Sequence, residues 1–223
     1  MQADDVQSRQ AGFVRYCLKK KCSGRLSGSA ANLTGGTIMR KNFGAKAILY
    51  PMPVLIIGSY DENGTPDAMN AAWGGISEET QISICISEDH KTTKNILAKG
   101  AFTVSVADAA NVVAADYVGV VSGNKEPDKI KKAGWTAVKS ENVDAPLFDE
   151  LPLALECKLI RYDEESCRLV GEIVNVCADE RILTDGKVDL SKFRPITYDP
   201  VNHDYLTLGE KIGKAFCDGQ KLK

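Results

Sequence analysis

Histidine is nearly absent from this chain. His90 and His203 are the only two, and they lie far apart in sequence. A zinc site or a histidine-activated nucleophile has little to be built from, and no Cys–His spacing supports one. The patterns G-x-S-x-G, H-E-x-x-H, G-x-x-x-x-G-K-[ST] and G-x-G-x-x-G do not occur. There is no C-x-x-C among the seven cysteines, an odd number. Cys85, Cys157 and Cys177 fall inside apolar, strand-like patterns, as small buried thiols do. These features predict a reducing, cytoplasmic setting with no disulfide framework and no metal site. No apolar run approaches the ~20 residues that span a bilayer, so no membrane association is expected. A net charge of -2 gives no electrostatic reason to expect nucleic acid as a partner. If the chain is an enzyme, a cofactor carries the chemistry and the protein supplies binding and orientation.

What is present begins with an unusual amino-terminal stretch. Residues 1–38 are basic and rich in Ser and Gly, and lack the apolar core of a secretory signal. They read as a flexible extension, with Met39 opening the globular pattern. An organelle-targeting role, suggested by the amphipathic piece Phe13 to Leu18 before Lys19-Lys20-Lys21, is the alternative. Residues 39–223 read as one domain, without repeats or low-complexity tracts.

The stretch ISICISEDHKTTKN organises that domain. Ile82, Ile84 and Ile86 alternate with Ser83, Cys85 and Ser87, the period of a strand with one buried and one small face. His90-Lys91-Thr92-Thr93 follows, where a helix from Thr93 to Lys99 should start and Gly100 should end it. Free N–H groups, a lysine and threonine hydroxyls together suit a phosphate; the same hydroxyls also cap helices that bind nothing. Phe102, Val104 and Val106 repeat the one-apolar-face pattern, which suggests a strand neighbouring the first. Before them, Val54 to Tyr60 is a buried strand, and Asp61-Glu62-Asn63-Gly64 turns it into a return strand near Pro66 to Ala72. Small residues then crowd Asn70-Ala71-Ala72-Trp73-Gly74-Gly75, leaving room for a ligand. Trp73 taken alone reads as core. Residues 109–121 and Asp128 to Lys132 are helical, separated by Ser122-Gly123-Asn124. Leu153 to Tyr162 and Arg168 to Cys177 form an antiparallel hairpin. Glu156 and Glu172 lie within it, and half-exposed strand positions explain them better than a catalytic carboxylate pair.

From Arg40 to Phe216 the chain resembles the flavoredoxins of the flavin reductase-like family. The match rests on YPMPVLIIGSYDENGTPDAMNAAWGG, H-K-T-T-x-N-I, AFTVSVA, DYVGVVSG, DAPLFDELPLALECKL, LVGEIVNV and LGEKIGKAF, in that order. The resemblance implies a mainly β fold with flanking helices: a six-stranded antiparallel Greek-key split barrel of the FMN-binding type. It further implies a homodimer with FMN near the subunit interface. Met69, Asn70, Ala71, Ala72 and Trp73 would run along the isoalloxazine ring. Ser87, His90, Lys91, Thr92 and Asn95 would surround the ribityl phosphate, with Ser122, Gly123 and Lys214 approaching the flavin. Arginine is common in the family where this chain has His90.

The implied activity is that of an FMN-dependent oxidoreductase. It would be an NAD(P)H-dependent flavin reductase or a flavoredoxin-type electron-transfer protein, with no catalytic side chain. The alternative is a non-enzymatic FMN-binding electron carrier reduced by a partner redox protein. A degenerate barrel that binds haem or nothing is a third reading, which the intact asparagine and H-K-T-T blocks oppose.

Overall fold

Asp61 makes a tight turn between the first two long strands. Its Oδ1 accepts the N–H groups of Asn63 (3.0 Å) and Thr65 (2.8 Å), and Gly64 supplies a φ of +79°. This Asx-type turn fixes the register of the first hairpin. In the computed structural model, which describes residues 39–222, the strands and helices follow in this order. First come β1 (Met52–Pro53), β2 (Leu55–Tyr60), β3 (Pro66–Ala71), β4 (Gly74–Glu78) and β5 (Gln81–Cys85). Next are α1 (Lys91–Lys99), β6 (Ala101–Val106), α2 (Val112–Val120) and α3 (Lys129–Lys132). Then come β7 (Ala137–Lys139), β8 (Pro146–Phe148), β9 (Leu153–Asp163) and β10 (Arg168–Ala178). Short strands β11 (Leu183–Thr184), β12 (Lys187–Val188), β13 (Ile196–Asp199) and β14 (Asp204–Thr207) complete the set. All belong to one compact unit, residues 45–208; residues 39–44 and those from 209 onward form a second. Residues 1–38, read above as an extension, lie outside the described residues.

The main sheet is antiparallel throughout, in the order β3-β2-β6-β9-β10-β5-β4. Its two ends, β3 and β4, are consecutive in the chain and separated only by Ala72 and Trp73. The sheet therefore curls until one broken strand serves both ends. Gly74 marks the closure: a Cβ there would lie 3.1 Å from Leu55 Cδ1 and 3.2 Å from Ile84 Cγ1, atoms of strands on opposite sides of the order. This is the expected split barrel. Seven strands are formed rather than six because the return strand breaks at Ala72-Trp73 instead of running on.

The barrel interior holds Leu55, Ile57, Ile82, Ile84, Phe102, Val104, Cys157 and Leu169, with Ile96 of α1 packed among them. A second cluster on the outer face puts Val54, Ile56 and Ala68 against Ala115 and Val118 of α2 and against Trp135 and Phe148. Complete burial of each large apolar side chain stabilises the fold by about 1.5–3 kcal/mol.

Four local expectations are corrected. The neighbours of β6 are β2 and β9, not β5, and Thr103 and Ser105 are as buried as Val104. The small face of β6 is thus packed; the Thr103 hydroxyl donates to the Pro146 carbonyl at 2.5 Å. Cys85 is exposed, because it sits on the outer face of β5. Cys217 is disulfide-bonded, a departure from the reduced thiols expected. Glu156 is buried rather than half-exposed: Ser140, Asn142 (2.9 Å) and Asn175 donate to its carboxylate. Burial pushes its pKa up, but these hydrogen bonds outweigh that and hold it below the ordinary value. Glu172 is exposed and does not join it.

Candidate functional site

The helix α1 begins two residues earlier than the sequence suggests. His90 is its N-cap, in extended conformation, and its ring does not cap the helix. Thr93 Oγ1 instead donates to the Ser87 carbonyl at 2.7 Å, tightening the approach, and Gly100 closes the other end with a φ of +68°. The first bond of the helix is Lys94 N–H to His90 O at 3.2 Å. The N–H groups of Lys91, Thr92 and Thr93 precede it, so they have no acceptor within the helix. No acidic residue occupies the first turn. The partial positive charge of this terminus is thus left unmet by its own helix.

Other groups converge on the same turn. Thr92 is buried and donates to Asp67 Oδ2 at 2.7 Å. Asn95 is also buried, its Nδ2 donating to Ser59 Oγ at 3.1 Å. Lys91 Nζ lies 3.3 Å from Asp61 Oδ2. Burial raises the Asp61 pKa, but the Thr65 N–H and Lys91 more than compensate, and the carboxyl sits below its ordinary value. The loop after α2 closes over this group. A Cβ on Gly123 would fall 2.4 Å from Asp67 Oδ1 and 3.1 Å from Lys91 Cδ, so only glycine fits there without displacement. Ser122 stays exposed, its carbonyl accepting from Lys125 (3.0 Å) and Glu126 (3.1 Å). The Ser87 carbonyl also accepts from the His90 N–H at 3.3 Å.

β3 leads away from this turn. Three residues at about 3.3 Å each separate Asp67 from Asn70, roughly 10 Å along the strand. Asn70 Nδ2 donates to the Ala115 carbonyl (3.0 Å) and lies 3.5 Å from the Tyr205 hydroxyl. Tyr205 in turn donates to Asp116 Oδ1 at 2.8 Å. Burial and then the Asp116 carboxylate push the Tyr205 pKa up to about 12, so the phenol stays protonated at neutral pH. Met69 packs against the barrel interior, and Ala71 is buried. Trp73 is 57% exposed, which removes the reading of it as core. Its backbone carbonyl accepts from Cys85 N–H at 2.8 Å, and Ala72 beside it is half-buried. Lys214 belongs to the second unit, where its N–H donates to Asp218 Oδ2 at 2.6 Å.

Lys91, Thr92 and Gly123 are therefore gathered at one end of β3, and Asn70, Ala71, Ala72 and Trp73 stand along and beyond its other end. Sequence reasoning missed Asp67 and Lys129, which link α1, β3 and the Gly123 loop, and Gly119, where a Cβ would press on Asn70 Cβ at 2.9 Å. A charged residue in a short strand or helix looks the same in sequence whether solvated or packed.

An antiparallel sheet curled shut around a shared, broken strand, with a helix N-terminus and a glycine loop at one end, defines a split barrel of the FMN-binding type. The family described as "Flavin reductase like domain" matches residues 47–209, and the chain belongs to that family. Flavoredoxin of Desulfovibrio vulgaris (Miyazaki F) is 40% identical, with a TM-score of 0.78 over 81% of this chain and 100% of that one. Flavoredoxin from Methanosarcina acetivorans is 26% identical, with a TM-score of 0.73 over 84% of this chain and 100% of that one. An uncharacterized protein of Aeropyrum pernix is 28% identical over 171 residues; the match covers 72% of this chain and 64% of that protein's length.

Proposed function

We propose that this protein binds FMN and works as an FMN-dependent oxidoreductase, taking electrons from NAD(P)H or from a reduced redox protein. The observation that carries this reading is the first turn of α1, uncapped by its own N-cap side chain and facing a glycine loop with no room for a Cβ. Its free N–H groups and Lys91 match a phosphate dianion. The residues present therefore fit the phosphate end of FMN. The flavin-named family and the flavoredoxin similarity support the same ligand.

In this reading Lys91 and the first-turn N–H groups, that of Thr92 among them, hold the phosphate; the Thr92 hydroxyl is already spent on Asp67. Ser87, His90, Asn95 and Ser122 border the sugar chain, and Gly123 lets the backbone approach. Asn70 spends its Nδ2 on Ala115, which leaves Oδ1 to meet a donor on the ring edge. Ala71 and Ala72 keep that path narrow and free of bulk, and Trp73 offers an exposed flat face that excludes water. Bound FMN supplies two-electron and one-electron chemistry at its ring. The chain's part is binding and orientation, with no side chain required to transfer a proton. Lys91 must leave Asp61, or share it, to reach the phosphate.

The reading extends to a homodimer with the flavin near the interface, supported by the exposed apolar side chains of Trp73, Ile76, Val113 and Val120. A cytoplasmic location is part of it; among the described residues no helix is long and apolar enough to cross a membrane. The test is an anaerobic titration on protein of measured flavin content. Yellow protein bleached rapidly by NADH or NADPH supports the reductase. Bleaching only by dithionite or a reduced redox protein supports the second reading, an electron carrier, which the flavoredoxin similarity favours. Colourless protein that takes up no added FMN overturns both.

A further inference from the structure

Lys129 is not among the groups assigned to the phosphate or the ring, yet it is 3% exposed in a helix of only four residues. All three of its N–H groups can be accounted for. Nζ meets Asp67 Oδ1 at 3.1 Å, the Val121 carbonyl at 3.0 Å and the Val118 carbonyl at 3.4 Å. Those two carbonyls belong to the last turn of α2 and to the residue that caps it. The lysine thus closes that helix and sets the start of the Ser122-Gly123 loop. Asp67, 2% exposed, passes the connection on, because its other oxygen accepts from Thr92 in the first turn of α1. Gly123 rests against the carboxylate between them.

Burying two ions is costly, and apolar residues of similar volume can pack as stably. Stability alone does not account for charges at these positions. Their placement does: one carboxylate sits directly behind a seat for an anion, and one cation neutralises it while pinning the loop that faces the seat. Without Lys129, Asp67 would repel a phosphate held by α1, and the loop would lose its anchor. The structure assigns to the Lys129–Asp67 pair a positioning role: through Thr92 and Gly123 it makes this site select a phosphorylated flavin over the unphosphorylated one. This inference rests on the FMN reading above.

The test uses full-length, flavin-stripped protein and compares affinities for FMN and riboflavin by quenching of flavin fluorescence. Variants are Lys129→Met, the double variant Asp67→Asn with Lys129→Met, and Lys132→Ala on the exposed side of the same helix. Lys129→Met is expected to lose about tenfold or more in FMN affinity, and the double variant, which loses the loop anchor but has no carboxylate left to repel the phosphate, about fivefold. Their riboflavin affinity should change by less than about threefold, and Lys132→Ala should leave both unchanged. The double variant, which leaves no unpaired ion, should keep the wild-type unfolding midpoint to within a few degrees, and it carries the test if Lys129→Met does not fold. Equal loss for both flavins, an unchanged ratio, or a double variant that does not fold overturns the positioning role alone. Wild-type protein that takes up neither flavin overturns the FMN reading, and this one with it.

Discussion

Asp199 shows how much a single carboxylate can hold. It accepts from the Tyr50 hydroxyl, from the N–H groups of Val201 (2.8 Å) and Asn202 (3.3 Å), and from Asn202 Nδ2 (2.7 Å). The Tyr50 hydrogen bond leads in pulling its pKa down from an ordinary 3.8 to about 2, followed by Val201 and Asn202. The folded value is the lower one, so the stabilisation is full above about pH 4 and disappears as pH falls toward 2. Thermal denaturation should therefore show Asp199→Asn well below wild type at pH 7 and much closer to it near pH 2; an undiminished gap would remove the carboxylate's role. Residues of this kind were hidden in the sequence. Asp199, Asp67 and Glu156 are acidic residues in strand patterns like Glu172, and only the surrounding chain decides which of them is packed. Lys91 and Thr92 were legible because a helix start has a local signature. Trp73 taken alone reads as core, because tryptophan is usually packed and nothing local marks its exposure; only its neighbours and the family resemblance place it beside a ligand.

At the scale of elements, β6 is the instructive case. Its sequence alternates apolar and small polar residues, which suggests one free face, yet it lies mid-sheet with the barrel interior on one side and β8 on the other. Small side chains here serve close packing. Gly171 of β10 does the same: a Cβ would lie 2.4 Å from Phe102 Cζ and 2.7 Å from Cε1, and Phe102 is fully buried. Gly171→Ala is expected to lose about 1–3 kcal/mol of stability in chemical denaturation. Gly75→Ala, with nothing within 4 Å, should stay within about 0.5 kcal/mol of wild type. Equal costs at both sites would show that backbone freedom, not crowding, sets the requirement for glycine. The hairpins β2–β3 and β9–β10 were legible from turn residues and alternation. The break between β3 and β4 was not, because it follows from where the sheet must close.

For the whole molecule, the barrel was legible through the order of family motifs and not through periodicity, which says nothing about which distant strands pair. The exposed side chains of Val113 (80%), Val120 (73%) and Ile76 (64%) are the ground for expecting self-association. Sedimentation should give twice the chain's 24.1 kDa; a monomer across the micromolar range would sink the homodimer.

The pairing of β5 with β10 has a consequence in time. β5 ends at Cys85 and its partner begins at Arg168. A ribosome adds about 5–20 residues per second, so roughly 4–17 s pass before the first residue of that partner is added. Until then β5 has only β4 beside it, and Ile82 and Ile84 face an unfinished wall. A newborn chain therefore cannot complete the barrel wall until β10 has been added between β9 and β5, long after Leu55 and Ile84, the neighbours of Gly74, are in place.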